Sequence, residues 1–447
     1  PVLFSVLARL SAGETQPGEV RELRLRLPVL IPGLLSIVVV AVLGRSLFGS
    51  LAGGAAAWWL ALHPWHLRYC TEARAYGLVI LFAALAMLCL VWALRENRWR
   101  AWLGLGASQF GLLYSFAGGL YFALGLNLVA FLVIVCRGRE WRSAALGRLL
   151  ATGVLSSMPY FLLMAPNFPQ MAYALRDTPT LQGSVNVRLV TDILSYLATG
   201  MPAYDGDPTN VFNPALSKFW PSGLWVLIPA LLALAAIALF AVPAFRARGE
   251  AMALAWANLL ALVIALAASH ASGGALYRWY IIYLLPFTAL PIAAGWAQLW
   301  SARRLRPLAF VLPVLVLSLV QRPLRDYRAT PKQDLRGIAA VARAGNAISS
   351  GFWTDAGFYD PLMVSIATDE DIRGLVSRAR AEGRGLHVVF GHRGHALRDR
   401  PGCVELLESS GSFDLILKSP GLEAAQFTTY VYRWNGGDAE NPPAGGG

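Results

Sequence analysis

His63-Pro64-Trp65-His66-Leu67-Arg68-Tyr69-Cys70-Thr71-Glu72-Ala73-Arg74-Ala75-Tyr76 is a polar island between two long apolar runs. It gathers a carboxylate, two guanidiniums, two imidazoles and two phenols within fourteen residues. Ionisable groups at the mouth of a membrane bundle cost free energy unless they pair or work. The island is therefore both the marker of a membrane fold and the first place to look for chemistry.

The rest of the chain supports that setting. Of its 447 residues 56% are apolar and 14% are charged, where a soluble domain averages about 25% charged. The apolar residues fall in blocks, several of which reach the roughly 20 residues that cross a hydrocarbon core. The reading is an α-helical polytopic membrane bundle of about ten spans. They lie at 28–44, 50–66, 75–94, 99–115, 117–136, 146–166, 223–245, 251–269, 279–299 and 307–321. The first residues, Pro1 to Leu10, read as the interior of a longer sequence, and at least one further span is expected upstream of Pro1.

The net charge of +12 is almost all arginine. The arginines are scattered between apolar runs, which argues against nucleic acid as a partner. They alternate instead from loop to loop. Arg45, Arg95, Arg98, Arg100, Arg137, Arg139, Arg142, Arg148, Arg246, Arg248, Arg303, Arg304 and Arg306 occupy one set of loops. The positive-inside rule assigns that set to the cytoplasm. The island, the loop 167–222 and Ala268–Arg278 then face outward. Arg21, Arg24 and Arg26 run against this pattern, and Glu19–Arg26 is expected to lie along the interface as an amphipathic helix.

The loop 167–222 is too long for a plain connector. It holds Tyr173, Arg176, Asp177, Asp192, Tyr196, Tyr204, Asp205 and Asp207, and Val187–Leu197 has the spacing of a short surface helix. Residues 1–321 with this loop form the membrane domain. Arg322–Pro331 is a charged linker. Helices at Gln333–Gly345 and Asp369–Gly383, and strands at Gly385–Gly391, Phe413–Ser419 and Phe427–Trp434, then predict a small α/β domain over 322–434. By the parity of the spans it lies outside the cytoplasm. Residues 435–447 read as a disordered Gly/Pro-rich tail.

Several motifs have plain explanations. Cys70, Cys89, Cys136 and Cys403 have no metal or redox spacing, and Cys89 and Cys136 read as packing residues. His63 and His66 lack a third metal ligand nearby. His387, His392 and His395 read as surface residues of the outer domain. Asp205 and Asp207 fit a solvated turn better than an acid/base pair. Tyr114, Ser115, Gly118 and Gly119 fit a tight turn between two spans. No Walker loop, dinucleotide fingerprint or serine-hydrolase elbow is present.

Two constellations remain. In the island, Glu72 and Arg74 could close two helix ends as an ion pair. They could equally form a site: a guanidinium offers a planar fork to phosphate, Glu72 could orient it, and Tyr69 and Tyr76 can stack or donate. Tyr277-Arg278-Trp279-Tyr280, with Pro286 beyond, would meet the same phosphate from the other side of the bundle, although interfacial aromatics occur without any function.

These stretches carry a resemblance. Arg26-Leu27-Pro28, Leu43-Gly44-Arg45-Ser46-Leu47-Phe48-Gly49, Ala61-Leu62-His63-Pro64 and Arg68–Tyr76 follow one another. They look like the "R-L-P-S", "L-G-R-x-L-F-G" and "S-P-x-x-x-x-Y-S-Q-E-A-R-x-Y" of GT-C superfamily membrane glycosyltransferases. The pattern is similar to that of bacterial relatives of dolichyl-phosphate-mannose protein mannosyltransferases and of the lipid A aminoarabinose transferase. Cys70-Thr71 stands in place of Ser-Gln, and His63 in place of the Ser before Pro64. Tyr277–Tyr280 through Pro286 matches the later "R-Y-x-x-x-x-x-P". The pattern covers about residues 1–300.

The resemblance implies transfer of a hexose or pentose from a polyprenyl-phosphate donor on the outer face of a bacterial inner (plasma) membrane. The acceptor would be a lipid, protein or polysaccharide. Glu72, Arg74, Tyr69, Tyr76, Arg278 and Tyr277 would form the substrate site. The family's acid lies in the first outer loop, expected upstream of Pro1, so no catalytic residue is assigned. No metal ligand is assigned, and a divalent-metal requirement stays open, as do the sugar and the acceptor. A catalytically inactive lipid- or glycan-binding protein of the same fold is the alternative. A transporter fits less well, because the polar groups gather at the outer ends rather than at the midplane.

Overall fold

A computed structural model of the chain describes residues 2–13, 22–169, 185–200, 224–274, 276–329, 334–421 and 428–437. Tyr173, Arg176, Asp177, Tyr204, Asp205, Asp207 and most of the expected tail lie outside the described residues. The described residues fall into two units, one ending at Leu324 and the other beginning at Arg325.

The first unit is helical. Its long helices are α1 (Val2–Ala12), α2 (Glu22–Phe48), α3 (Ser50–Leu62), α5 (Tyr76–Glu96), α6 (Trp99–Ser115), α7 (Gly119–Val135) and α8 (Arg139–Met164). They continue with α10 (Leu224–Arg246), α11 (Gly249–Ser272), α12 (Leu285–Ser301) and α13 (Arg306–Ala329). Two short helices, α4 (Pro64–Tyr69) and α9 (Val187–Thr199), and a 3-10 segment Arg278–Leu284 complete it. Helices overlie the described parts of the ten expected segments, with 50–66 broken at His63 and 279–299 begun by the 3-10 segment. Five helical stretches among the described residues are long and apolar enough to cross a membrane, and others, such as Ser50–Leu62 and Gly119–Val135, are shorter. The expected count of ten therefore exceeds what length and composition support. Of the expected interfacial helix, residues 19–21 lie outside the described residues and the rest is not separate. Glu22–Arg26 forms the first turns of α2, which runs on through Pro28 and Pro32.

Helix α5 is the centre of the unit. Its most apolar window is 78% buried against 33% for α2, which explains why it is apolar on every side. Small residues set the closest helix approaches, as bundles in lipid favour. A Cβ on Gly44 would touch Gly53 and Ala56 of α3, and one on Gly125 would come within 2.5 Å of the Ala257 carbonyl of α11. Buried amides pair rather than stand alone: Gln109 and Asn127 donate to each other, at 2.9 and 3.2 Å. The α6–α7 turn falls at Phe116–Gly118, where the sequence places it. Cys89 is buried, but Cys136 is exposed at the end of α7.

The second unit is a five-stranded sheet in the order β2-β1-β3-β5-β4. The strands are β1 (Ala347–Phe352), β2 (Val364–Ser365), β3 (Gly385–Gly391), β4 (Phe413–Ser419) and β5 (Thr429–Trp434). β2, β1 and β3 are parallel, and β5 and β4 are antiparallel. Helix α14 (Leu335–Ala342) covers one face through Ile338 and Ala339. Helices α15 (Asp369–Glu382), α16 (Arg393–Asp399) and α17 (Pro401–Ser409) cover the other through Ile372, Leu375, Ala396 and Leu407. Three strands and two helices stand where the sequence puts them; β1, β2, α16 and α17 are additions. His387 is not a surface residue. It is buried, with Nδ1 2.9 Å from the Ala342 carbonyl.

Candidate functional site

Proline at its first position starts α4, and the chain leaves it through a short turn that carries Cys70 to Ala75. Glycines seat this island on α2. A Cβ on Gly33 would collide with the Cys70 side chain at 2.6 Å, and one on Gly77 would meet the Val29 carbonyl. Cys70, compact and apolar, thus fits a slot opposite a glycine. His66 closes the same contact, its Nε2 lying 3.1 Å from Ser36 Oγ and 3.2 Å from the Gly33 carbonyl. Both histidines are buried, and among the described residues no cluster of His, Cys, Asp or Glu could hold a metal ion.

Helix α9, from the long loop, docks on the island. Asn186 caps it by accepting from the Leu189 N–H at 2.9 Å, and Gly200 ends it in the left-handed region. Gly200 lies against the Pro64 ring, and Tyr196 stacks on Trp65 with centroids 5.0 Å apart. One face of α9 is buried through Leu189, Ile193, Tyr196 and Leu197, while Val187 and Leu194 stay exposed.

Asp192 lies on that buried face. Its Oδ2 accepts from Arg278 Nη1 at 2.8 Å, and the two side chains are 0% and 2% exposed. The Arg278 guanidinium lies over the Tyr196 ring, 4.6 Å from its centroid. The island, α9 and the Arg278 segment are thereby joined by one series of contacts: Tyr76 to Tyr69 (4.7 Å), Tyr69 to Trp65 (5.8 Å), Trp65 to Tyr196 and Tyr196 to Arg278.

Glu72 takes a different partner from the one expected. It accepts from Arg68 Nε at 3.0 Å, one helical turn back, and Arg68 is 5% exposed. Arg74 is exposed at the surface of the turn. It hydrogen-bonds Tyr76 and lies within electrostatic reach of Glu72, Tyr69 and Tyr280. Tyr280 in turn packs edge-on against Tyr277, at 5.3 Å, and at a tilt against Phe116, at 5.2 Å. Tyr277 stacks on Trp279 at 4.8 Å.

All six expected residues therefore belong to one neighbourhood in three dimensions. Within it they divide by burial: Arg278 is held by Asp192, Tyr69 and Tyr76 are buried, and Arg74 faces solvent. The sequence reading names Asp192 and Tyr196 only as members of a loop and assigns Glu72 to Arg74. The available signal for Asp192 is its place on the apolar face of α9, between Leu189 and Tyr196, where an acid needs a buried cation.

Residues 10–163 match the family model described as dolichyl-phosphate-mannose-protein mannosyltransferase. The fold is similar to that of ArnT from Cupriavidus metallidurans, solved bound to undecaprenyl phosphate. The TM-score is 0.50 at 15% identity, over 97% of this chain and 87% of that one. It is also similar to the oligosaccharyltransferase of Archaeoglobus fulgidus in its apo form, with a TM-score of 0.50 at 12% identity over 90% of this chain. The chain spans 63% of that protein's length. No curated protein matches the chain in sequence. The family model thus matches about a third of the chain, residues 10–163, and the likeness to ArnT and to the oligosaccharyltransferase is one of fold.

Proposed function

We propose that the protein transfers a sugar from a polyprenyl-phosphate donor to an acceptor on the outer face of a bacterial inner membrane, with Arg74 binding the donor phosphate. The observation that carries this reading is the division among the island's cations. Arg68 and Arg278 are buried against Glu72 and Asp192, whereas Arg74 stands exposed beside two phenols. A guanidinium fork next to hydroxyl donors suits the donor's phosphodiester and the polyprenyl phosphate that departs from it.

In this scheme the acceptor oxygen attacks the anomeric carbon, the bond from that carbon to the phosphate oxygen breaks, and the phosphate keeps the electron pair. Arg74 and Tyr76 stabilise the charge that grows on the departing oxygen. The acceptor proton passes to a general base, a role given to no residue here. Glu72 fixes the turn through Arg68, and Tyr69, Tyr277 and Tyr280 wall the phosphate site. Arg278 holds α9 over the island through Asp192.

Transfer from a polyprenyl-phosphate sugar, assayed with the protein in lipid vesicles, tests the reading. Arg74→Ala is expected to lower kcat about 10²–10³-fold, the size of losing one oxyanion donor, with an unchanged melting temperature. Arg74→Lys restores charge without the fork and gives an intermediate rate. Full transfer by Arg74→Ala overturns the assignment.

A further inference from the structure

Away from the island, the first unit has an apolar groove of about 560 Å³, within the range of about 300–1,000 Å³ that ligand sites occupy. Ser50, Gly54 and Trp58 of α3, Ile237 of α10, Trp296 of α12 and Leu317 of α13 line it. It follows α3 from Ser50 to Trp59, a run of roughly 13 Å at about 1.5 Å per residue.

One end of the groove is basic. The α12–α13 turn carries Arg303, Arg304 and Arg306, and α10 ends at Arg246 with Arg248 next in the connection to α11. All five are exposed, and among the described residues none is ion-paired. Aromatic contacts place the segments that carry these arginines beside the Ser50 end of the groove. Phe245 packs on Phe48, two residues before Ser50, with centroids 5.0 Å apart. Trp296 donates to the Ala309 carbonyl at 2.8 Å, and Trp300 meets Phe310 at 4.9 Å, so the turn sits over the groove's end. The positive-inside rule accounts for arginines in these loops. It does not require an apolar channel leading away from them.

We propose that this groove binds one anionic phospholipid, with an acyl chain along α3 and the headgroup on the arginines at the mouth. Basic pockets between membrane helices are suited to such headgroups. The proposal does not depend on the donor reading at the island.

Native mass spectrometry of the full chain in detergent tests the proposal. The protein is stripped of lipid and then exposed to phosphatidylglycerol or phosphatidylcholine of the same chain length. Phosphatidylglycerol is expected to be retained at least about tenfold better, the effect of roughly 1.4 kcal/mol. Arg303→Gln with Arg304→Gln and Arg306→Gln should bring the two lipids to equal retention. Gly54→Leu should abolish retention of both. A Cβ at Gly54 meets nothing within 4 Å, so the substitution has room where it leaves the backbone, and an unchanged melting temperature verifies the fold. Equal retention of the two lipids by the unaltered chain overturns the proposal. So does unchanged retention by Gly54→Leu, or displacement of phosphatidylglycerol by polyprenyl phosphate.

Discussion

Asp192 and Arg278 are both removed from water and held 2.8 Å apart. Taking two charges out of water costs several kcal/mol each, and their attraction offsets that only in good geometry. Breaking one side is worse, because it strands a buried charge. Asp192→Ala is therefore expected to destabilise the first unit by about 3–5 kcal/mol, read as a lowered melting temperature in detergent. The double change Asp192→Leu with Arg278→Met should recover most of that loss. If Asp192→Ala melts like the unaltered protein, the pair does not hold α9 in place. Arg278 stands out in the sequence as a cation at a span's edge. Its partner does not, because it lies 86 residues away and only the fold makes them neighbours. Glu72 shows the reverse error: adjacency suggests Arg74, but the helical turn of α4 brings Arg68 to it first.

Among elements, α9 is the joint of the site. It is held at its C-terminus by Gly200, whose φ of +70° is the left-handed conformation that side chains disfavour. A Cβ there would also lie 2.8 Å from the Pro64 ring. Gly200→Ala should cost about 1–2 kcal/mol for the backbone conformation alone and loosen α9 from α4. Amide hydrogen exchange over Val187–Thr199 should rise while exchange in α5 is unchanged. Equal protection of α9 in both proteins would show that the Gly200 contact does not seat it. The helix pattern was legible because apolar blocks and loop arginines repeat at the scale of a bilayer. Strand β1 was not, because Ala347-Ile348-Ser349-Ser350-Gly351-Phe352 is fully buried without an apolar or alternating run to betray it. Ser350 resolves that conflict by donating to the His387 carbonyl at 2.9 Å. The described part of the helix expected before the first span, Glu22–Arg26, is continuous with α2, whose two prolines do not end it.

On the scale of the whole molecule, the two units answer to different solvents. The first is held by small-residue contacts and internal pairs. The second has an ordinary apolar core and surface charges, so its stability follows pH. Asp371 completes the capping box of α15, accepting from the Ala367 and Thr368 N–H groups at 2.8 and 2.9 Å. The Ala367 N–H, then the Thr368 N–H, hold its carboxyl below the ordinary aspartate value. A depressed carboxyl contributes stability that is full above the unfolded value of about 3.8 and is lost as pH falls through the folded one. Hydrogen exchange in α15 of the full chain should thus accelerate below about pH 4. Asp371→Asn should remove that pH dependence, and an unaltered pH profile in the variant would refute the role. The fold shared with ArnT was legible through the order of motifs around the island. The division of labour among its arginines was not, because burial decides it.

The most direct test of that division is a structure of the protein with polyprenyl phosphate bound. The account predicts the phosphate within hydrogen-bond distance, about 2.7–3.2 Å, of the Arg74 guanidinium, with Arg278 still bonded to Asp192. A phosphate bound to Arg278 with Asp192 displaced, or one seated away from the 63–76 turn, would contradict it.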